Sequence, residues 1–338
     1  MLQTAQENFD KLENRILSIN SNLENVNSLR KMLCELEVSG PTLIMATGGS
    51  KVVAYYLQLI LERIGWDGVV AEVIEPREYA YKRNKKCYDS LVVISSSGET
   101  NGVKEALEDF KGNKYLVCND KQNGNYNVVS WGNESYDKEH SFISLVPTLG
   151  PIAMMLDTNE FGCLHYEIGN DRLNVVNNRI SELLCKSKDK VLSLSHSFKE
   201  DSTIHVLTGS DTRSASYALE STLVESGICV PVLHDKGSFC HGRSNIINDN
   251  DPIIYLSHDT YDFDKFLLDT LSSEYQNVFH LDSTEMCKND IFWGEYYLLL
   301  QIYYLSKKIA EDKGKDLTKP KYKKKVIDKL YKYRGTLV

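Results

Sequence analysis

The sequence predicts an α/β protein of two tandem three-layer α/β/α lobes with mainly parallel sheets, flavodoxin-like in architecture. Two observations carry this. Short apolar runs of strand length alternate with longer amphipathic runs, as in PTLIMATG followed by KVVAYYLQLILERIG, which is the rhythm of β-strands joined by helical crossovers. That rhythm breaks near residues 166–176 (YEIGNDRLNVV) and then restarts with TIHVL at 203–207. The repeat is one of fold rather than of sequence.

The first lobe is read in order. Residues 1–38 place Phe9, Leu12, Ile16, Ile19, Leu23, Val26, Leu29 and Leu33 at helical spacing, so one or two helices precede the first strand. Pro41–Gly48 is a strand, and Gly48, Gly49 and Ser50 lead into a helix stopped by Gly65, since glycine commonly closes a helix. Val69–Ile74, Ser90–Ser95 and Tyr115–Asn119 are expected strands. Phe142–Val146 is expected as a fifth, before a helix opening at Pro151. After a polar connector, a helix runs from about Val175 to Ser195. Thr203–Leu207, Ile228–Leu233, Pro252–Leu256 and Val278–Leu281 are the second lobe's strands, with helices over Arg213–Ser226 and Phe292–Asp312. The expected division is 1–40 helical, 41–165 first lobe, 166–176 connector, 177–312 second lobe and 313–338 a basic tail.

The stretch with most chemical content is LVVISSSGET, residues 91–100. Four apolar residues run into Ser95, Ser96, Ser97, Gly98, Glu99 and Thr100, and an amphipathic segment follows. Strand, hydroxyl-rich turn and helix start together aim several hydroxyls and backbone N–H groups at one spot. The positive end of the helix dipole makes that spot suited to a phosphate. The small residues Gly49 and Ser50 let a second backbone segment come close to the same ligand. In parallel sheets the ligand sits beyond the carboxyl ends of the strands, where both turns lie. The second lobe has Ser257-His258-Asp259-Thr260 after its third strand instead, and an acidic residue there disfavours a phosphate cradle. One anion site per chain is expected, in the first lobe.

Composition narrows the function classes. The chain has 338 residues and a net charge of −8, which argues against broad binding to nucleic acid or an anionic membrane surface. There is no apolar run of membrane-spanning length, and the polar N-terminus is not a secretory signal. Eight scattered cysteines without a CxxC pair fit reduced thiols in the cytoplasm better than disulfides or a zinc site. No clustered carboxylate or histidine pattern calls for a metal.

The motifs ATGGS at 46–50 and ISSSGET at 94–100 resemble those of the sugar isomerase (SIS) family of phosphosugar-binding domains. The tandem arrangement is similar to the isomerase half of glucosamine-6-phosphate synthase and to fructosamine-phosphate deglycases. The resemblance covers roughly residues 1–335; a glutaminase domain ahead of it is not expected, so glutamine-dependent amination is not implied. It implies that Ser50, Ser95, Ser97 and Thr100 hold a sugar phosphate, with Gly49 beside it and Ser96 giving its N–H. It also implies a catalytic glutamate at a helix end, with a histidine of an HG pair sixteen positions later. Glu225, ending RSASYALESTLVE, and His241, in SFCHGRSN, have that spacing. In the tail, Asp316, Pro320 and Lys325 resemble the pattern that places a lysine over the sugar. Two positions depart from the synthase pattern: Thr222 stands where a lysine is expected, and Arg243 where a proline is. Arg243 adds a cation suited to a second anionic group on the substrate.

The resemblance implies a cofactor-independent isomerase or ketosamine-phosphate deglycase. Glu225 would shuttle a proton between adjacent carbons through an enediol or enolamine, and His241 would move protons on oxygen. It also implies a homodimer in which His241 completes the partner's site. The alternative is a non-catalytic sugar-phosphate sensor. The chain has no basic helix-turn-helix appendage of the kind that DNA-binding regulators carry.

Overall fold

The computed structural model describes residues 23–64, 70–82, 84–98, 101–118, 124–130, 152, 170–194, 198, 202–258, 261–288 and 290–317. The chain divides into two compact units, one built mainly on residues 10–177 and the other on 178–321.

In the first unit, α1 (Leu23–Glu37) precedes β1 (Thr42–Ala46). Then come α2 (Ser50–Ile64), β2 (Ala71–Ile74), the short α3 (Pro76–Tyr81), β3 (Ser90–Ile94), α4 (Asn101–Asp109), β4 (Asn113–Cys118) and β5 (Asn127–Ser130). The sheet order is β2-β1-β3-β4-β5, and every pairing is parallel. All residues of β1 and β3 are buried. Strands covered on both faces read as continuous apolar runs rather than alternating ones, which is why TLIMA and SLVVI stand out in the sequence. Under one face, Leu43, Met45, Leu91, Val93 and Leu116 form a core with Val103, Ala106 and Leu107 of α4.

The second unit repeats the plan. Helix α5 spans Asn170–Leu192, and its first residues fall in the other unit. It is followed by β6 (His205–Thr208), α6 (Arg213–Glu225), β7 (Val232–Asp235), the one-turn α7 (Lys236–Phe239), β8 (Ile253–Ser257), α8 (Asp262–Glu274), β9 (Val278–Asp282) and α9 (Ile291–Asp312). The order is β7-β6-β8-β9, again all parallel. Leu207, Ile253 and Tyr255 pack against Leu267 and Leu271 of α8 and Phe239 of α7. Residues 293–306 of α9 are buried on every side, as expected of a helix apolar around its whole circumference.

Several expectations need correction. Residues 170–176, read as the end of a connector, are the first two turns of α5. Asn170 and Asp171 are polar and offer no apolar stripe there, so only the tertiary structure sets the start. The fifth strand of the first sheet is Asn127–Ser130, a segment too short and polar to stand out. The expected strand at Phe142–Val146 and the helix at Pro151 lie outside the described residues. So do residues 1–22 and the tail from residue 318. Helix α8 was not expected at all, because Leu267 and Leu271 are its only buried residues.

Among the described residues no helix is long and apolar enough to cross a membrane. The seven cysteines described are all free thiols.

Candidate active site

The first sheet reverses direction between β1 and β3. From β1 the chain goes outward through α2 to β2; from β3 it goes the other way through α4 to β4. Right-handed crossovers then put α2 and α4 on opposite faces. A crevice opens beyond the carboxyl ends of β1 and β3, the usual ligand position in such sheets. Ala46 and Ile94 are register partners at these two ends, and neighbouring strands lie about 4.8 Å apart. The segments that follow, Gly48–Ser50 and Ser95–Gly98, therefore leave side by side.

Each segment is shaped for close approach. Gly48 has a positive φ of 55°, and its carbonyl accepts from the Lys51 N–H at 3.0 Å, while Gly49 O accepts from Val52 N–H at 3.1 Å. Ser50 is the first residue of α2. In the other segment, Ser95 N–H donates to Val117 O at 3.0 Å, which continues the sheet one step past β3. The Ser95 hydroxyl oxygen then accepts from Gly98 N–H at 3.2 Å, and Gly98 has φ +65°. The bond closes the turn and uses an oxygen lone pair, leaving the hydroxyl proton to donate elsewhere. Ser95 is buried, Ser96 half-buried and Ser97 exposed, so the turn runs from the core to the surface. The N-terminus of α2, the positive end of its dipole, follows the carboxyl end of β1. Thr100 lies outside the described residues.

One charged group here was not anticipated. Lys51, immediately after Ser50, is ion-paired with Glu75, the residue that caps α3 at the end of β2. A lysine after a small-residue turn is the signal that could have found it.

In the second unit, Glu225 is the last residue of α6, exposed, and accepts a hydrogen bond from Ser221 Oγ at 2.9 Å. The helix stops there through paired reverse bonds, Ile228 N–H to Leu223 O at 2.9 Å and Gly227 N–H to Val224 O at 3.0 Å, with Gly227 at φ +65°. This is the Schellman arrangement, which favours glycine. Lys315 Nζ donates to Ile228 O at 2.5 Å and ties the loop to the end of α9. Thr222 is fully buried. Position 222 therefore faces the interior, where a lysine would have to bury its charge.

His241 is exposed, in a turn just after α7, and is followed by Gly242 at φ +107°. Arg243 is also exposed, and its Nη1 donates to Leu233 O of β7 at 3.4 Å. Helix α6 runs back from the carboxyl end of β6, so Glu225 lies at the amino end of the sheet. His241 lies beyond the carboxyl end of β7. The structure does not bring this pair together within one chain: the length of β7 alone, roughly 13 Å for four residues, separates them. Lys325 lies outside the described residues. Among the described residues no group of three or more His, Cys, Asp or Glu side chains is placed to hold a metal.

No family model and no curated protein matches this sequence. Solved structures do match over nearly the whole chain. Glucosamine-6-phosphate deaminase from Thermotoga maritima aligns with a TM-score of 0.66 at 13% identity, covering 94% of this chain and 97% of that one. The C-terminal domain of glucosamine-fructose-6-phosphate aminotransferase from Francisella tularensis gives 0.64 at 18%, covering 95% and 97%. This chain shares the two-lobe α/β fold of these structures. Tagatose-6-phosphate ketose/aldose isomerase from Escherichia coli aligns likewise, at 0.64 and 14% identity over 94% of this chain and 95% of that chain. Within that fold, the switch-point crevice of the first lobe is where both small-residue turns converge.

Proposed function

We propose that this protein is a sugar-phosphate enzyme, an aldose–ketose isomerase or a ketosamine-phosphate deglycase, with its phosphate site at the first-lobe crevice. The observation that carries the reading is the convergence of Gly48–Ser50 and Ser95–Gly98 on adjacent strand ends beside a helix N-terminus. Solved structures of the same fold bear names that refer to phosphorylated sugars, which agrees with it. Ser50, Ser95, Ser97 and Thr100 hold the phosphate, with the Ser96 N–H and Gly49 against it. Holding the phosphate away from the reacting carbons positions the sugar for proton transfer.

Glu225 is the proton shuttle. It takes a proton from one carbon of the C1–C2 pair, giving an enediol, and returns it to the other. In a deglycase the same transfer converts a ketosamine through its enolamine to an imine; water adds at C1 and the amine leaves. His241 moves protons on oxygen and opens the ring. Because Glu225 and His241 lie at opposite ends of the second sheet, a site that uses both takes them from two copies of the chain. Arg243 beside His241 faces any second anionic group on the substrate, and Lys325 closes over the sugar.

The test is a thermal-shift panel of sugar phosphates beside their unphosphorylated sugars, with hits followed by NMR for conversion. A ligand that binds the native state raises the melting temperature. The expected result is a phosphate-dependent shift lost in Ser97→Ala, and conversion lost in Glu225→Gln with the shift retained. Conversion that survives Glu225→Gln removes Glu225 from the chemistry. Binding without conversion of any hit moves the protein to the sensor class.

A further inference from the structure

The second lobe has the same crevice, and it is already filled. The order β7-β6-β8-β9 repeats β2-β1-β3-β4, so β6 and β8 flank the switch point as β1 and β3 do in the first lobe. The segment leaving β6 is Gly209–Thr212, which leads into α6, and His258 follows β8. Between them stands Glu295, which arrives from α9 and is 0% exposed. Its Oε1 accepts the backbone N–H of Ala215, in the first turn of α6, at 2.6 Å. Its Oε2 lies 3.1 Å from His258 Nε2 and makes no hydrogen bond of its own. His258 is itself buried, with Nε2 2.9 Å from the Asp211 carbonyl and Nδ1 3.1 Å from Ser283 Oγ.

The close approach is built into the sequence. A Cβ on Gly294, the residue before Glu295, would fall 2.8 Å from Ser283 Oγ and 2.9 Å from His258 Nδ1. Only glycine lets α9 come near enough to deliver the carboxylate. Burying a carboxylate is costly unless it is paired and hydrogen-bonded. Here a helix N-terminus and an imidazole supply what a bound anion would otherwise receive.

We propose that the second-lobe crevice is an anion site of the same kind as the first, held shut by the chain's own Glu295 carboxylate, and that a small carboxylate such as acetate can take the place of that side chain. Each chain then binds one sugar phosphate, through its first lobe only; this count rests on the function proposed above, whereas the occupied crevice does not. Burial alone would lower the pKa of His258, but the adjacent Glu295 carboxylate, with Asp211 beyond it, outweighs burial and raises it. Burial raises the pKa of Glu295 itself, and the His258 imidazole and the Ala215 N–H work against that rise.

Glu295→Ala removes a CH2–COO− fragment, and acetate restores the same atoms. The variant should melt below wild type and regain melting temperature as acetate is added at constant ionic strength, by mass action. Wild type should not respond to acetate, and the variant should not respond to acetamide, the neutral counterpart. A variant that gains nothing from acetate beyond what wild type gains overturns the proposal. Should Glu295→Ala not fold, the His258 ring in wild type decides by NMR. A cation that persists above the ordinary histidine range supports the pair, and an ordinary titration near pH 6.5 overturns it. Calorimetric titration of a sugar phosphate should count one site per chain, and two sites per chain overturn the closed crevice. If no sugar phosphate binds at all, the function proposed above fails, and the acetate arm still decides this proposal.

Discussion

At the scale of single residues, a buried histidine pair should contribute to the pH sensitivity of the second lobe. His234 is 0% exposed, with Nε2 2.9 Å from His205 Nδ1 and an edge-on contact with Phe239. His205 Nε2 lies 3.5 Å from Asp251 Oδ2. Burial, then the His205 and Arg243 charges, lower the pKa of His234 from 6.5 to about 4. The unfolded chain therefore takes up a proton at this site that the folded chain refuses. Stability should fall as pH drops from about 6.5 to about 4, by roughly 3 kcal/mol from this site if the full difference is expressed. Urea unfolding at pH 7 and pH 4.5 checks this. His234→Gln should lose less stability than wild type between the two conditions. Equal losses would place the acid sensitivity elsewhere.

At the scale of elements, α9 is the organising helix of the second unit, and its approach to β8 and β9 is set by one small residue. Helix propensity alone favours alanine over glycine by about 1 kcal/mol. A Cβ at Gly294 would overlap Ser283 Oγ and His258 Nδ1, and forced overpacking of this kind costs roughly 1–3 kcal/mol. Gly294→Ala should therefore lower the unfolding free energy measured in denaturant. A gain in stability would show that α9 has room to spare. The contrast between the two switch points also belongs to this scale. In the first lobe two glycines at positive φ, Gly48 and Gly98, bend small-residue turns around the crevice. In the second, a neighbouring helix fills the equivalent place.

At the scale of the whole molecule, the separation of Glu225 from His241 decides how a shared reaction must be organised. A single chain places them at opposite ends of one sheet, so activity that depends on both requires a second copy. Glu225→Gln and His241→Ala should each be inactive alone. Mixed in equal amounts and allowed to exchange, they should recover roughly a quarter of wild-type activity if pairing is random in a two-fold dimer with shared sites. No recovery on proven exchange would mean that each site draws both residues from one chain, and activity in either variant alone would mean that the site uses only one of them.

What the sequence determined by itself was the alternation of buried strands with crossover helices, its restart in a second lobe, and the two small-residue turns. These were legible because their causes are local: TLIMA and SLVVI are apolar throughout since both faces are covered, and Ser95–Gly98 is small and polar since the chain must turn there. The tertiary structure decided what depends on distant partners. Asn127–Ser130 is a strand because β4 offers it an edge, not because four residues prefer that state. Asp262–Glu274 packs through only two buried leucines, too few to mark a stripe. Glu295 is a lone carboxylate in the apolar run IFWGEYYLLLQIYYL; that incongruity was visible, but its partners, Ala215 and His258, come from other elements. The Glu225–His241 spacing was likewise legible as a pattern, yet only the direction of α6 against β7 shows that the two residues face opposite ends of the sheet. Local pattern marks the segments whose burial is continuous; burial and pairing between segments far apart in sequence decide the marginal elements and what each buried charge is for.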